Sequence, residues 1–325
     1  MTSSVGLAGD GEAVLFVAHP GHELRVHHWL EKVRPTVLVL TDGSGPSGLS
    51  RLESTTRLLA ATGGRPGPVY GRFSDRELYE AVRQRRSELF CLLVDELVTL
   101  LRQMDAREVA GDAVEGFNPA HDLCRLLLNA AVAILRAGSL PGLRNRDFTL
   151  EALPAHCPAD MYGEATWIHL DEAALGRKLE AAGTFKGMEA EVSAILRAHG
   201  PSPFAVECLR PVRYGLGIGA QVGEVPFYEL HGQKRVEQGI YREALRFREH
   251  IEPLARDLMQ HVEARTGSRA ACRCTRPRAI ARRVWPRHCH PRFQSCAAWP
   301  APARRSSGSC STRIRNWRSQ QRRAS

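Results

Sequence analysis

Apolar residues along the first half of the chain follow two rhythms. Residues 14–18 and 36–40 are short, nearly continuous apolar runs, the pattern of strands buried on both faces. Residues 22–33, 51–61 and 121–137 instead carry the spacing of amphipathic helices. Residues 68–71 and 108–110 read as shorter strands, and residues 75–104 as one long helix or two. Alternation of strand and helix predicts an α/β fold: a Rossmann-like, mostly parallel sheet with flanking helices on both faces. In such sheets ligands bind beyond the carboxyl ends of the strands. The places to search are therefore the turns after Ala18, Leu40 and Ala110.

The pattern after Pro141 is less regular. Residues 148–150 and 166–169 read as strands. Asp171 is a good N-cap for a helix over residues 171–182, and a second helix over 188–199 stops at Gly200 and Pro201. Residues 236–264 predict one long amphipathic helix with a break at Pro253. Gly215, Gly217 and Gly219 imitate a dinucleotide fingerprint, but no strong strand precedes them and no helix start follows, so that reading is rejected.

Charge divides the chain. The 325 residues carry a formal +10, yet residues 266–325 alone hold 15 Arg and no Lys, Asp or Glu, so residues 1–265 carry −5. This division predicts a folded domain over 1–265 and a disordered basic C-terminal tail over 266–325. The tail's composition resembles GC-rich DNA translated in the wrong frame. As a native segment it would bind nucleic acid only nonspecifically, through charge. Five of the nine Cys sit in the tail. The four in the body are widely spaced, which suits a reducing compartment. With no apolar run of the roughly 18 residues a membrane span needs, the expectation is a cytoplasmic protein without membrane contact.

The chemistry-bearing residues sit where the topology rule points. His19 and His22 flank Pro20 and Gly21 directly after the first strand. His121 opens a helix after the strand at 108–110. Strand order brings all three imidazoles to one sheet edge, and three imidazoles with one open position suit a catalytic Zn2+ or another divalent metal. His19 taken alone, at a strand end, reads more readily as a structural histidine than as a ligand. Asp42, in the turn after the second strand, and Arg51, opening the next helix, are further candidates.

Two motifs give this region a resemblance to the PIG-L/LmbE N-deacetylases. Ala18, His19, Pro20, Gly21, His22 and Glu23 resemble that family's first motif, A-H-P-D-D-E. Asn118, Pro119, Ala120 and His121 resemble its later H-P-D-H. Residues 40–43, Arg51 and residues 72–75 add to the likeness, which is good over residues 14–132 and weaker through Lys178. The resemblance implies metal ligation by His19, His22 and His121, with His22 standing where the family has Asp. It also implies hydrolysis of an N-acyl group, such as acetyl, on an amino sugar or related small metabolite. The family's general base falls at Gly21, which has no side chain, while Asn118 and Ala120 replace the first His and the Asp of the second motif.

Loss of a general base removes a contribution of about 100- to 10,000-fold. Glu23, Asp42 and Asp122 are the candidate catalytic replacements, with Asp112 and Glu115 also near. Each reads equally as a helix N-terminal charge, a turn cap or support for a ligand. Arg51 is a candidate for substrate binding, or a surface ion pair. If no replacement acts, the alternative is a catalytically impaired PIG-L-like protein that binds metal or a sugar-like ligand without turnover. Gly21→Asp is expected to restore activity if the missing base is the only deficit.

Overall fold

The computed structural model describes residues 12–213 and 225–267. Strands β1 (Ala13–Val17) and β2 (Thr36–Thr41) are buried along their whole length. They pair in parallel, with Val14 opposite Thr36 and Val17 opposite Val39. Strand β3 (Arg65–Phe73) lies outside β2, and β4 (Glu108–Gly111) lies on the other side of β1. Strand β5 (Arg144–Asp147) extends the parallel set. Strands β6 (Thr166–His169) and β7 (Val206–Pro211) complete a seven-stranded sheet of order β3-β2-β1-β4-β5-β7-β6, in which β7 runs antiparallel to both neighbours.

Side chains of β1 alternate between two cores. Val14 and Phe16 pack with α3 (Asp75–Arg83), α4 (Ser87–Gln103), α5 (Pro119–Ala137) and α9 (Glu252–Thr266). Ala13, Leu15 and Val17 pack with α1 (His27–Val33), α2 (Leu52–Thr62) and α6 (Glu172–Gly183) on the opposite face. This two-sided covering is the reason the central strands tolerate no polar face. Gly111 is required at the end of β4: a Cβ there would lie 2.2 Å from the Phe16 carbonyl oxygen.

Several boundaries differ from the sequence reading. Residues 22–33 split into a 3-10 turn (His22–Val26) followed by α1. Residues 75–104, read as one long helix or two, are the two helices α3 and α4, separated at Arg85, whose φ is 51°. The strand expected at 148–150 is β5, ending at Asp147, with only Phe148 continuing as a bridge to Asp112. The single helix expected over 236–264 does not form. α8 (Phe227–Glu237) ends before Gly239, which has φ 70°. A π-helical turn (Phe247–Ile251) leads into α9, and Pro253 sits in the first turn of that helix instead of breaking it. Proline is tolerated there because its missing N–H has no intrahelical partner to lose. The helix over 188–199 is α7 (Glu189–His199).

β7 escaped the sequence reading because a fully buried Glu207 interrupts its apolar run. Glu207 Oε1 and Oε2 accept the His28 and Trp29 amides, each at 2.9 Å, so a strand residue caps α1 from across the fold. Lys178 of α6 neutralises it, with Nζ 2.8 Å from Oε1. Among the described residues no helix is long and apolar enough to cross a membrane. Gly215, Gly217 and Gly219, and the tail from residue 268, lie outside the described residues.

Candidate functional site

Side chains lock the carboxyl ends of β1, β2 and β4 together. The Ala18 amide donates to Asp112 Oδ2 at 2.8 Å. The Ala18 carbonyl accepts from the Thr41 amide at 2.9 Å and from Thr41 Oγ1 at 3.1 Å. Buried Arg125, on α5, donates to the Asp112 carbonyl through Nε, to Asn145 Oδ1 at 3.0 Å and to the Arg146 carbonyl at 3.0 Å. The turn at Pro20 and Gly21 then swings the chain back so that His22 follows His19 on the same side, with Gly21 at φ 107°. On the facing element Asn118 caps α5 by accepting the Ala120 amide at 2.9 Å, and Pro119 occupies its first turn, which places His121 one step inside the helix.

The turn after β1 and the first turn of α5, which follows β4, thus bring three buried imidazoles together. Ring centroids are 5.2 Å apart for His19 and His22, 5.1 Å for His19 and His121, and 4.5 Å for His22 and His121, all edge to face. Imidazoles that share a tetrahedral metal at ~2.1 Å have centroids about 5 Å apart. His19 Nδ1 lies 2.7 Å from Thr41 Oγ1 and 3.0 Å from Asp75 Oδ1. His22 Nδ1 lies 2.9 Å from Asp112 Oδ2. Hydrogen bonds from Nδ1 to a carboxylate are the arrangement that orients metal-ligating histidines. His19 Nε2, His121 Nε2 and Asp112 Oδ1 are buried with no protein partner. Orphaned buried polar atoms are rare in folded proteins, and imidazole nitrogens are suitable donors for a divalent cation. As the side chains stand, no group of three or more His, Cys, Asp or Glu among the described residues is arranged to hold a metal ion.

Electrostatics favour neutral rings at His22 and His121. Burial pushes His22 below the ordinary imidazole range against the pull of Asp112. It depresses His121 further, with repulsion from His22, His19 and Arg51 adding to the effect. Burial opposes ionisation of Asp75, but the His19 charge and hydrogen bonds from His19, Thr41 and the Gly45 amide hold its carboxyl below the usual range.

The other sequence candidates occupy different places. Glu23 is fully buried beneath the turn, with Oε2 accepting the Gly21 amide at 2.8 Å and Oε1 the Thr55 hydroxyl at 2.6 Å. Asp42 is half-buried and accepts the Ser44 amide at 2.9 Å. Asp122 turns from the cluster and accepts the Glu115 and Gly116 amides at 3.1 and 3.2 Å. Glu115 in turn accepts the Leu150 amide at 2.7 Å and the Thr149 hydroxyl. Arg51 lies alongside the rings. Its Nε donates to the Gly43 carbonyl at 2.8 Å, and its terminal nitrogens have no protein partner among the described residues. Asp75 and Arg125 went unrecognised as parts of the site, although Asp75 closes a four-residue stretch that carries the family likeness. Contacts between residues 56 apart in sequence have no local signature.

At Gly21 a Cβ would lie 2.3 Å from Met188 Sδ and 3.5 Å from Phe185 Cε1. Side chains from the connection between α6 and α7 therefore stand against Gly21. Beyond them, a cavity of about 120 Å³ opens in front of His22 and His121, walled by Leu24, Leu150, Leu179, Val192, Ile195 and Phe204 among others.

Comparison with known proteins gives little at the level of sequence: no protein-family model matches, and no curated protein matches. Among solved structures, similarity is found to a triple mutant of a deacetylase involved in the teicoplanin biosynthetic pathway, with 14% identity and a TM-score of 0.42 over 62% of this chain and 98% of that one. The zinc-inhibited form of teicoplanin deacetylase gives 13% identity and a TM-score of 0.40 over 62% and 98%. The A40926 pseudoaglycone deacetylase gives 16% identity and a TM-score of 0.38 over 63% and 99%.

Proposed function

We propose that this chain is a metal-dependent N-acyl hydrolase of the PIG-L/LmbE kind, acting on an N-acylated amino sugar or related small metabolite. One observation carries the reading: three buried histidines, two from the turn after β1 and one from α5, meet edge to face, with the Nε2 atoms of His19 and His121 without a protein partner among the described residues. His19, His22 and His121 would hold the cation, zinc being the best match to an all-imidazole donor set. A cation there supplies Lewis acidity towards an acyl carbonyl and a water.

The chain's own residues do the rest. Asp75 and Thr41 fix the His19 ring, and Asp112 fixes His22. Arg51 offers guanidinium N–H donors for the charge that develops on the acyl oxygen. Among the acidic residues singled out from sequence, Asp112 alone hydrogen-bonds a ring of the cluster. Its second oxygen has no protein partner, which makes it the leading candidate to hold a proton during the reaction. Glu23, Asp42 and Asp122 support the surrounding turns through their carboxylates. A binding protein without turnover is the second reading. It draws on Gly21, where a base is missing and Met188 stands in the way.

Metal analysis of the purified chain together with an assay on N-acetylglucosamine derivatives tests both readings. About one zinc per chain, lost in His121→Ala, with chelator-sensitive release of acetate, is expected. Metal without turnover selects the binding protein, and absence of metal after zinc loading removes both.

A further inference from the structure

The cavity in front of the histidines is unlike a sugar site. A sugar ring needs several hydrogen-bond partners, because each hydroxyl buried without one forfeits its hydration. The wall here is built from Leu24, Leu150, Leu179, Val192, Ile195 and Phe204. Of its charged members, Glu191 lies within electrostatic reach of Arg25, and the other three are engaged elsewhere or suppressed. Lys178 bonds Glu207 at 2.8 Å and the Arg25 carbonyl at 3.0 Å. Arg25 donates to the carbonyls of Leu150 and Ala152. Burial and the nearby Glu115 charge push the Glu151 carboxyl up to about 8, as expected in an apolar setting. Val192, Ile195 and Leu196 line one face of α7, which runs away from Met188. From Met188 to Leu196 a helix advances ~12 Å, roughly the reach of an acyl chain of eight to ten carbons.

We propose that this cavity holds the hydrocarbon chain of the acyl group, so that the site takes medium-chain N-acyl substrates in preference to N-acetyl ones. The inference rests on the N-acyl hydrolase reading for its placement: with the amide carbonyl at His22 and His121, the chain runs along α7 and the amine part lies outside. Met188, at the mouth of the cavity, has an unbranched, polarisable side chain that adapts to a passing chain.

Binding of the carboxylate products tests this without requiring turnover. Affinities of acetate, butyrate, hexanoate and octanoate for the zinc-loaded full chain are measured by calorimetry, alongside hydrolysis of the matching N-acyl glucosamines. Each added methylene should tighten binding about fourfold, the equivalent of ~0.8 kcal/mol per buried CH2. Ile195→Trp, confirmed as folded by circular dichroism, should flatten that series by filling the cavity. Equal affinity for acetate and octanoate overturns the inference, and hydrolysis of N-acetylglucosamine alongside that result would leave the hydrolase reading standing. An unchanged slope in Ile195→Trp also overturns it, because the chains then bind elsewhere. A fourfold series flattened by Ile195→Trp, with no hydrolysis of any glucosamine, keeps the cavity as an acyl-chain site and removes the hydrolase reading.

Discussion

The two sides of the histidine cluster are built on different principles. Behind the rings stand Asp75, Thr41 and Asp112, each tied to a strand end by hydrogen bonds of 2.7–3.1 Å. Arg125 braces this wall through the Asp112 carbonyl and β5. In front stand the end of α6 and all of α7, a helix with no buried residue of its own. The rear wall fixes the His19 and His22 rings through directional hydrogen bonds at Nδ1. The front wall meets the site mainly through apolar side chains, whose contacts are nondirectional, with Glu151, Lys178 and Glu191 as charged members of the lining. Rear residues therefore govern whether the site exists, and front residues govern what enters it.

Asp112→Ala is the largest test of this division. It strands the buried Ala18 amide and His22 Nδ1, so a loss of about 2–4 kcal/mol in urea unfolding is expected, with metal affinity down about 10- to 100-fold. Unchanged metal affinity in a folded variant would show that the rear wall does not orient the rings.

Gly21→Asp probes the junction of the two walls. The structure argues against the simple restoration of activity expected from sequence. At φ 107° a non-glycine residue is strained, and its Cβ meets Met188 Sδ at 2.3 Å. A destabilisation of about 1–3 kcal/mol without gain in turnover is expected. Adding Met188→Ala should recover part of that loss but not the backbone strain. Thermal melting and initial rates read both effects. A rise in rate towards 100-fold in the single variant would mean that the turn rearranges freely and the junction is soft.

Glu151, on the front side, makes a pH prediction. Its folded-state pKa is raised from 4.5 to about 8. The sign follows from linkage: its contribution is fully present below the unfolded value and is lost as pH rises through the folded one. Stability should therefore fall between about pH 4.5 and pH 8, by on the order of 1–2 kcal/mol once its partial exposure is discounted. Glu151→Gln should flatten that slope in denaturation curves taken across the range. A slope identical to the parent's would place the carboxyl in water. The smallest effect is expected from Leu196→Ala on α7: under about 1 kcal/mol of stability, as for a partly exposed side chain, and so far below the Asp112 variant.

The parallel half of the sheet was legible because β1 and β2 are apolar without interruption and their helices are punctuated by Gly, Pro and capping residues. Asp171 was read correctly as a cap, accepting the Ala174 amide at 2.8 Å. The antiparallel end was less so. β6 was anticipated, but β7 carries a buried charge, and residues 236–264 have a helical pattern that Gly239 and tertiary packing divide. At the site, the positions of His19, His22 and His121 were legible because motif spacing and strand order are local properties. The sequence could also show that Gly21 cannot be a base.

Which acidic residues serve those histidines was decided by the tertiary structure alone. Asp75 is 56 positions from His19 and Asp112 is 90 from His22, and only the parallel order β3-β2-β1-β4, which sets the ends of β3 and β4 on either side of β1, makes them neighbours. The same holds for Glu207 capping α1 from β7, 179 residues from His28. The apolar character of the pocket is likewise a matter of packing. The residues of α7 show only an amphipathic period in sequence, and the fold determines that one of its apolar faces looks onto His22 and His121 instead of into the core. Hydrogen-bond geometry and burial depend on distances that a linear pattern does not contain, so chemistry was readable residue by residue while its orientation was not.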